Sequence, residues 1–276
     1  MEPNGKNTLQ NVIAIVPARY ASTRLPGKML LEIAGKPLIV HTADRAREAG
    51  SVSRLIVATD DGRILEAVEN AGHEAVMTSA EHQSGSDRVA EVAEGLPDGS
   101  VIVNVQGDEP VISPATIDQA VRALIKDPSA EMATTFEKIE RIEDLLNPNI
   151  VKIAVGENGN AVYFSRSPIP FPREAAMRHG GDLVSALRHE RELLKTFHKH
   201  TGLYVYRREF LLAFTKMQPT HLERSEMLEQ LRALENGARI KAVESASRSI
   251  GVDTEADLKL VRALLEAEQK AHELVA

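Results

Sequence analysis

Short apolar runs, each followed by a loop and then a stretch of helix length, fill the first half of the chain. Val12–Val16, Leu55–Ala58, Ala75–Met77 and Val101–Val105 are each of strand length, and Asn104 is the only polar residue in the last. Runs apolar on both faces belong to strands covered from both sides, which is the habit of parallel sheets with helical crossovers. Helices are expected over about Ile39–Ala49, Gly62–Asn70 and from Ser84 or Ser86 to Glu94, the first two ended by Gly50 and Gly72. Right-handed crossovers between parallel strands follow. Pro17 closes the first strand in this reading, because proline cannot serve a central ladder.

Further along, Ser113-Pro114 opens a helix to about Ile125, and Met132–Phe136 reads as another strand. The rhythm then changes. Val151–Val155 and Ala161–Phe164 flank Gly156-Glu157-Asn158-Gly159-Asn160, which is hairpin chemistry. Phe171–Lys199 is polar; it is expected to hold a helix near Leu183–Leu194 within a mobile or variable excursion. Gly202–Tyr206 and Ile240–Val243 read as strands, Leu222–Leu234 as one helix and Glu255–Glu268 as a terminal helix capped by Thr254. The 276 residues suffice for one large α/β unit. Within it, 1–150 is expected to form most of the main part, 151–206 a smaller hairpin-containing lobe, and 207–276 a return to the main part.

Charge and composition narrow the function. The formal net charge of −7 invites neither nucleic acid nor an anionic membrane surface. Tryptophan is absent and tyrosines number four, which leaves little material for stacking bases. The lack of cysteine excludes disulfides and thiolate metal sites and fits a reducing, cytoplasmic setting. Met1–Gln10 has no apolar core and does not read as a signal peptide, and no stretch has the length of a membrane span.

The chemistry concentrates after Val16. Pro17–Lys28 carries Arg19, Arg24 and Lys28, and open α/β sheets bind ligands at the carboxyl ends of their strands. Three cations there call for an anion such as a nucleoside triphosphate; a solvated basic loop is the plainer alternative. Gln106-Gly107-Asp108 ends the Val101 strand on the same edge. A carboxylate beside a triphosphate is unfavourable unless a divalent ion lies between them, and magnesium takes one or two carboxylates plus phosphate oxygens. Capping the turn before Pro110 is the structural alternative for Asp108. Gly107 is read as permitting a tight turn, and Gly85 as giving the backbone room near a flat ligand. His200 and Tyr204 share a face if their strand begins early enough, since side chains alternate. Arg166, Glu229, Gln230 and Asp253 each have ordinary readings: a surface ion pair, a solvated helix face and a helix start.

The run Ile15–Lys28 resembles the nucleotide-binding signature of the 3-deoxy-manno-octulosonate cytidylyltransferase family. Relatives that activate neuraminic acid place Ser-Lys-Gly where this chain has Ser22-Thr23-Arg24. Four further runs resemble the family: His82–Arg88, Gln106–Pro110, His200-x-Gly202-x-Tyr204 and Gly251-Val252-Asp253-Thr254. The resemblance covers nearly the whole chain and is weak between Phe171 and Lys199. It implies a three-layer α/β/α fold like that of nucleotide-diphospho-sugar transferases, with helices on both faces of a mostly parallel sheet. It implies that Ala18, Arg19, Ser22, Arg24, Lys28, Gly85 and Arg88 bind CTP, and that Asp108 and Asp253 hold Mg2+. Gln106, Arg166, His200, Tyr204, Glu229 and Gln230 would line the sugar-acid side, and Arg19, Lys28, Asp108 and Asp253 would be catalytic. Ile250 stands where relatives often have glycine. The implied reaction transfers CMP to 3-deoxy-D-manno-octulosonate, in a homodimer joined through the smaller lobe. Rival readings are an amino-substituted octulosonate or another 2-keto sugar acid as acceptor, a uridylyl- or guanylyltransferase, and a non-catalytic nucleotide-binding module. A Rossmann dehydrogenase is weaker, because no G-x-G-x-x-G follows the first strand.

Overall fold

The computed structural model describes residues 11–21 and 25–273, with the side chains of 271–273 left out. Its strands are β1 (Val12–Ala18), β2 (Glu32–Ile33), β3 (Lys36–Pro37), β4 (Arg54–Thr59), β5 (Ala75–Met77), β6 (Val101–Asn104), β7 (Met132–Lys138), β8 (Lys152–Val155), β9 (Ala161–Ser165), β10 (His198–Arg207) and β11 (Ile240–Glu244). The main sheet runs β11-β7-β10-β6-β1-β4-β5. The pairs β1–β4, β1–β6, β4–β5 and β7–β11 are parallel, whereas β10 is antiparallel to both β6 and β7. The sheet is therefore mostly parallel, with one reversed strand set into it. The β8–β9 hairpin is hydrogen-bonded to this sheet through β10.

Alternation within single strands makes the three layers. In β1, Val12, Ala14, Val16 and Ala18 enter one apolar core, and Ile13 and Ile15 enter the other. Leu55 and Val57 of β4 divide from Ile56 and Ala58 in the same way. Helices Leu38–Arg47, Gly62–Asn70, Pro114–Lys126 and Glu255–Glu273 supply the first core; Gly85–Glu94 and Arg208–Phe214 supply the second. Ile15 and Ile39 are fully buried, and such side chains each contribute about 1.5–3 kcal/mol.

Several sequence expectations change. Pro17 does not end β1, which continues to Ala18 with Pro17 opposite Ala58 of β4. The β6 ladder has already stopped at Ile15–Asn104, so the missing N–H deprives no partner on that side. Ser113 precedes its helix, but its side chain accepts no capping bond. The expected Leu222–Leu234 helix is two helices, His221–Glu226 and Gln230–Glu235, because Met227 turns left-handed at φ 53°. The strand expected at Gly202 begins at His198 and is bulged between Thr201 and Tyr204. The 171–199 segment holds helices Arg173–Arg178 and Leu183–His189, and Leu187, Leu194 and Phe197 join Ile139, Ile142 and Leu145 in a third apolar cluster.

Candidate active site

Because β1, β4 and β6 run parallel, their carboxyl ends share one edge. The residues after β1 and β6 and the start of helix Gly85–Glu94 enclose a cavity of about 390 Å³ there. Ser84 builds that helix start: its hydroxyl accepts from the Asp87 N–H (3.1 Å), and Asp87 accepts from the Ser84 N–H (3.2 Å). Gly107 follows β6, and its backbone φ is not left-handed. Its need for glycine is close approach, since a Cβ would lie 2.8 Å from the Pro17 carbonyl oxygen. That corrects the expectation of a tight turn.

Three segments far apart in sequence meet in the cavity. The buried Lys28 ammonium donates to Asp108 Oδ2 (2.6 Å), Asp253 Oδ1 (3.1 Å) and the Val252 carbonyl (3.0 Å). Asp253 arrives on the loop after β11, tied by the Val252 N–H to the Asp108 carbonyl (2.8 Å). Thr254 and Asp257 then close the start of the terminal helix, Asp257 accepting from the Asp253 and Thr254 N–H groups. Among the described residues, no three of His, Cys, Asp and Glu cluster as a complete metal site. Two carboxylates that reach one cationic nitrogen are nonetheless a hard oxygen pair. They suit a hard divalent ion whose remaining positions go to phosphate and water oxygens.

Ala18, Arg19, Gly85, Arg88 and Gln106 also line the cavity. Arg19 is exposed at its rim. Arg88 is 4% exposed and largely turned inward: its guanidinium pairs with Asp60 (2.7 Å) and donates to the Thr78 hydroxyl and the Ser79 carbonyl. Ser22 and Arg24 lie outside the described residues.

The remaining candidates form a second group that does not line this cavity. Gln106 is the link, because Gly202 in the β10 bulge packs on it and a Cβ there would lie 3.0 Å from Gln106 Cγ. His200 and Tyr204 stand on either side of that glycine with ring centroids 5.2 Å apart. His200 Nε2 shares a hydrogen bond with the Thr134 hydroxyl (2.8 Å) and its ring meets Phe164 edge-on. Burial lowers its pKa to about 3, so the ring is neutral at pH 7. The Tyr204 phenol is raised well above its usual value by burial, and secondarily by Tyr206 and Glu229. Ser86 donates to Glu229 (2.6 Å), tying that carboxylate to the helix that borders the cavity. Burial raises the Glu229 pKa, opposed by Ser86 and Arg232. Gln230 is buried beside it. Arg166 donates to the carbonyls of Glu226 (2.6 Å), Pro148 (2.9 Å) and Met227 (3.3 Å), so the broken helix holds it.

Sequence reasoning gave no site role to Ser86, which it offered only as a helix start, nor to Tyr206 or Glu109. Ser86 and Tyr206 become visible only once the fold brings the Ser86 hydroxyl to the Tyr206 phenol. Glu109 had a signal, a second acid directly after Asp108. Its buried carboxyl is pushed up to about 7, by desolvation first and then by the charges of Asp108 and Glu137.

The sequence profile described as cytidylyltransferase matches residues 13–240. A 3-deoxy-manno-octulosonate cytidylyltransferase from Geobacter metallireducens is 53% identical over 91% of this chain and 96% of its own length. The chain belongs to the 3-deoxy-manno-octulosonate cytidylyltransferase family. The member of that name from Geobacter sulfurreducens is 51% identical over 91% of this chain and 98% of its own. Among solved structures, a CMP:2-keto-3-deoxy-manno-octonic acid synthetase complexed with CTP superposes with a TM-score of 0.83 at 38% identity, covering 94% of this chain and 100% of that one. The fold extends beyond the family: a 4-diphosphocytidyl-2C-methyl-D-erythritol synthase from Anaerococcus prevotii superposes with a TM-score of 0.59 at 12% identity, covering 94% of this chain and 99% of that one.

Proposed function

We propose that this family member catalyses magnesium-dependent transfer of CMP from CTP to the anomeric hydroxyl of 3-deoxy-D-manno-octulosonate, a step in activating a lipopolysaccharide precursor. The hydroxyl oxygen forms a bond to the α-phosphorus, the bond from that phosphorus to the β-phosphate bridge breaks, and pyrophosphate leaves with its electron pair. The observation that carries this reading is the meeting of Lys28, Asp108 and Asp253 at a cavity on the parallel edge. A lysine between two carboxylates is a pre-formed arrangement of opposite charges, suited to placing a triphosphate with its metal ion.

In this reading Arg19, Arg24 and Lys28 offset the phosphate charge that builds up on pyrophosphate as it departs. Asp108 and Asp253 hold Mg2+, which when bound would polarise the α-phosphate and ease loss of the acceptor's hydroxyl proton. Ala18, Ser22, Gly85 and Arg88 form the wall for the nucleotide. Gly85 and the backbone N–H groups around it lie at a helix start, where negative charge is favoured. Gln106, Arg166, His200, Tyr204, Glu229 and Gln230 receive the sugar acid. The neutral His200 there offers a directional hydrogen bond rather than a charge. Most of the rate enhancement then comes from alignment and fixed charge.

Residues 1–150 would serve mainly the nucleotide and 151–206 the acceptor and a homodimer contact, with 207–276 completing the main part. Val162, Phe171 and Met177 expose apolar surface in the middle region, in keeping with a subunit contact. A cytoplasmic setting agrees with the proposed use of CTP; among the described residues no helix is long and apolar enough to cross a membrane.

The test is a pyrophosphate-release assay with CTP, UTP or GTP, each with and without magnesium, using the octulosonate and its amino-substituted analogue as acceptors. The expected result is turnover with CTP, magnesium and octulosonate. Equal turnover with UTP would remove the nucleotide assignment, and preference for the amino sugar would remove the acceptor.

A further inference from the structure

The loop that delivers Asp253 runs from Ser245 to Thr254 without regular structure, and its middle is held at Arg248, which pairs with Glu140, and at Ser249, which is turned inward. At its start the Ser245 N–H donates to the Phe136 carbonyl (2.8 Å) and the Ala246 N–H to the Thr116 hydroxyl (3.0 Å). At its end the Val252 N–H donates to the Asp108 carbonyl. Between these, Ser249 reaches inward twice. Its N–H donates to Glu137 Oε1 (2.9 Å) and its hydroxyl to Glu109 Oε2 (2.8 Å). Both carboxylates are buried, Glu137 at 5% and Glu109 at 9% exposure. Lys199 pairs with Glu137 at 2.8 Å, and Arg248 of the loop lies close enough to feel that carboxylate's charge.

Burying two carboxylates against one lysine is a costly way to fix a surface loop, since apolar groups would pack there without the desolvation penalty. The arrangement has a geometry that apolar packing lacks. Glu109 follows Asp108 directly, and its Oε1 would lie 3.3 Å from a Cβ at Gly202, inside the β10 bulge. Lys199 is the neighbour of His200 on the same strand. Ser249 thus joins the Asp253 loop to the segment that carries Asp108 through its hydroxyl, and through its N–H and Glu137 to Lys199 on the strand that carries His200 and Tyr204.

We infer that Ser249 is a positioning residue: held by Glu109 and Glu137, it fixes where the Asp253 carboxylate stands relative to Asp108 and so sets the affinity for the divalent ion. This rests on the assignment of Asp253 to that ion made above. Removing the hydroxyl takes away the bond to Glu109 and loosens the loop on that side, while the Ser249 N–H bond to Glu137 and the Arg248–Glu140 pair remain and Asp253, Asp108 and Lys28 stay chemically intact. Groups that only orient a metal ligand commonly change metal affinity by about 10–100-fold.

The test measures Mg2+ binding by calorimetry in the presence of a non-hydrolysable CTP analogue, together with thermal melting, for wild type, Ser249→Ala, Ser249→Thr, Glu109→Ala and the Ser249→Ala/Glu109→Ala double variant. Ser249→Ala is expected to weaken Mg2+ binding about tenfold while melting cooperatively near the wild-type temperature. Ser249→Thr, which keeps the hydroxyl, should restore affinity to within about threefold of wild type. The double variant should be no weaker than Glu109→Ala alone, because the two groups act through one bond. Wild-type affinity in Ser249→Ala overturns the inference, and so does loss of cooperative melting, which would make Ser249 a folding residue. Absence of any Mg2+ uptake by wild type with the analogue would instead strike the metal assignment itself.

Discussion

The two halves of the proposed site, one assigned above to the nucleotide and the other to the acceptor, are built on opposite principles. The nucleotide half hangs from the ends of parallel strands, and its charged groups pair directly with one another: Lys28, Asp108 and Asp253 meet at the cavity. The acceptor half stands on the reversed strand β10 and on the broken helix, and its groups are already satisfied by the protein. His200 has Thr134, Glu229 has Ser86, and Arg166 has three carbonyls. The first half is arranged to take up charge and the second to hold shape. Substitutions in the first should therefore act on turnover, and those in the second on recognition of the acceptor.

The largest effect tests that division directly. Asp108→Asn should lower kcat about 10³-fold with little change in melting temperature, read by pyrophosphate release under saturating substrates. A loss confined to KM would blur the distinction between the halves. Lys28→Met should lower kcat/KM for CTP about 10²-fold. It also leaves two carboxylates facing each other, so the variant should melt lower than wild type in chelator and regain part of the difference when Mg2+ is added. In the other half, Arg166→Ala should raise KM for the sugar acid about tenfold and leave KM for CTP within about twofold.

Acid titration sharpens the contrast, because the two halves carry buried groups of opposite sign. His200 binds its proton more weakly folded than unfolded. Its contribution is complete above the unfolded value near 6.5 and is lost as pH falls toward about 3. By pH 5 that amounts to about 1–2 kcal/mol, and the slope should vanish in His200→Gln. Glu109 is held protonated more readily when folded, so its contribution is lost as pH rises from the usual carboxylate value toward about 7. Glu109→Gln should flatten that decline. Denaturant melts at pH 4 to 8 measure both. The smallest effect concerns the start of the terminal helix, where Thr254→Ala should cost about 1 kcal/mol of stability and leave kcat unchanged.

Legibility in the sequence follows the same division. Runs such as Arg54–Thr59 and Gly62–Asn70 match the strand and helix found, because local periodicity and capping decide them. Pro17 misled because the rule against proline applies to a ladder on both sides, and one of the two ladders ends before it. The break at Met227 showed only as a drift in the apolar spacing of Leu222–Leu234, since nothing in that side chain favours a positive φ; Arg166, packed on the carbonyls of Glu226 and Met227, accompanies it from just past the end of a distant strand. The juxtaposition of Asp108 and Asp253 was legible only through family resemblance. It depends on a loop whose anchors lie more than a hundred residues away in sequence.

Gly107 carries a consequence for how such an enzyme can diversify. With the Pro17 carbonyl 2.8 Å from where a side chain would begin, two main chains are pressed together beside the cavity proposed to take the triphosphate, and no substitution there can be absorbed by rotating a side chain. Changes in what the protein accepts must therefore be written on the far wall. There the β10 bulge and the kink at Met227 present replaceable side chains, so a new acceptor can be acquired while the grip on the nucleotide is inherited intact.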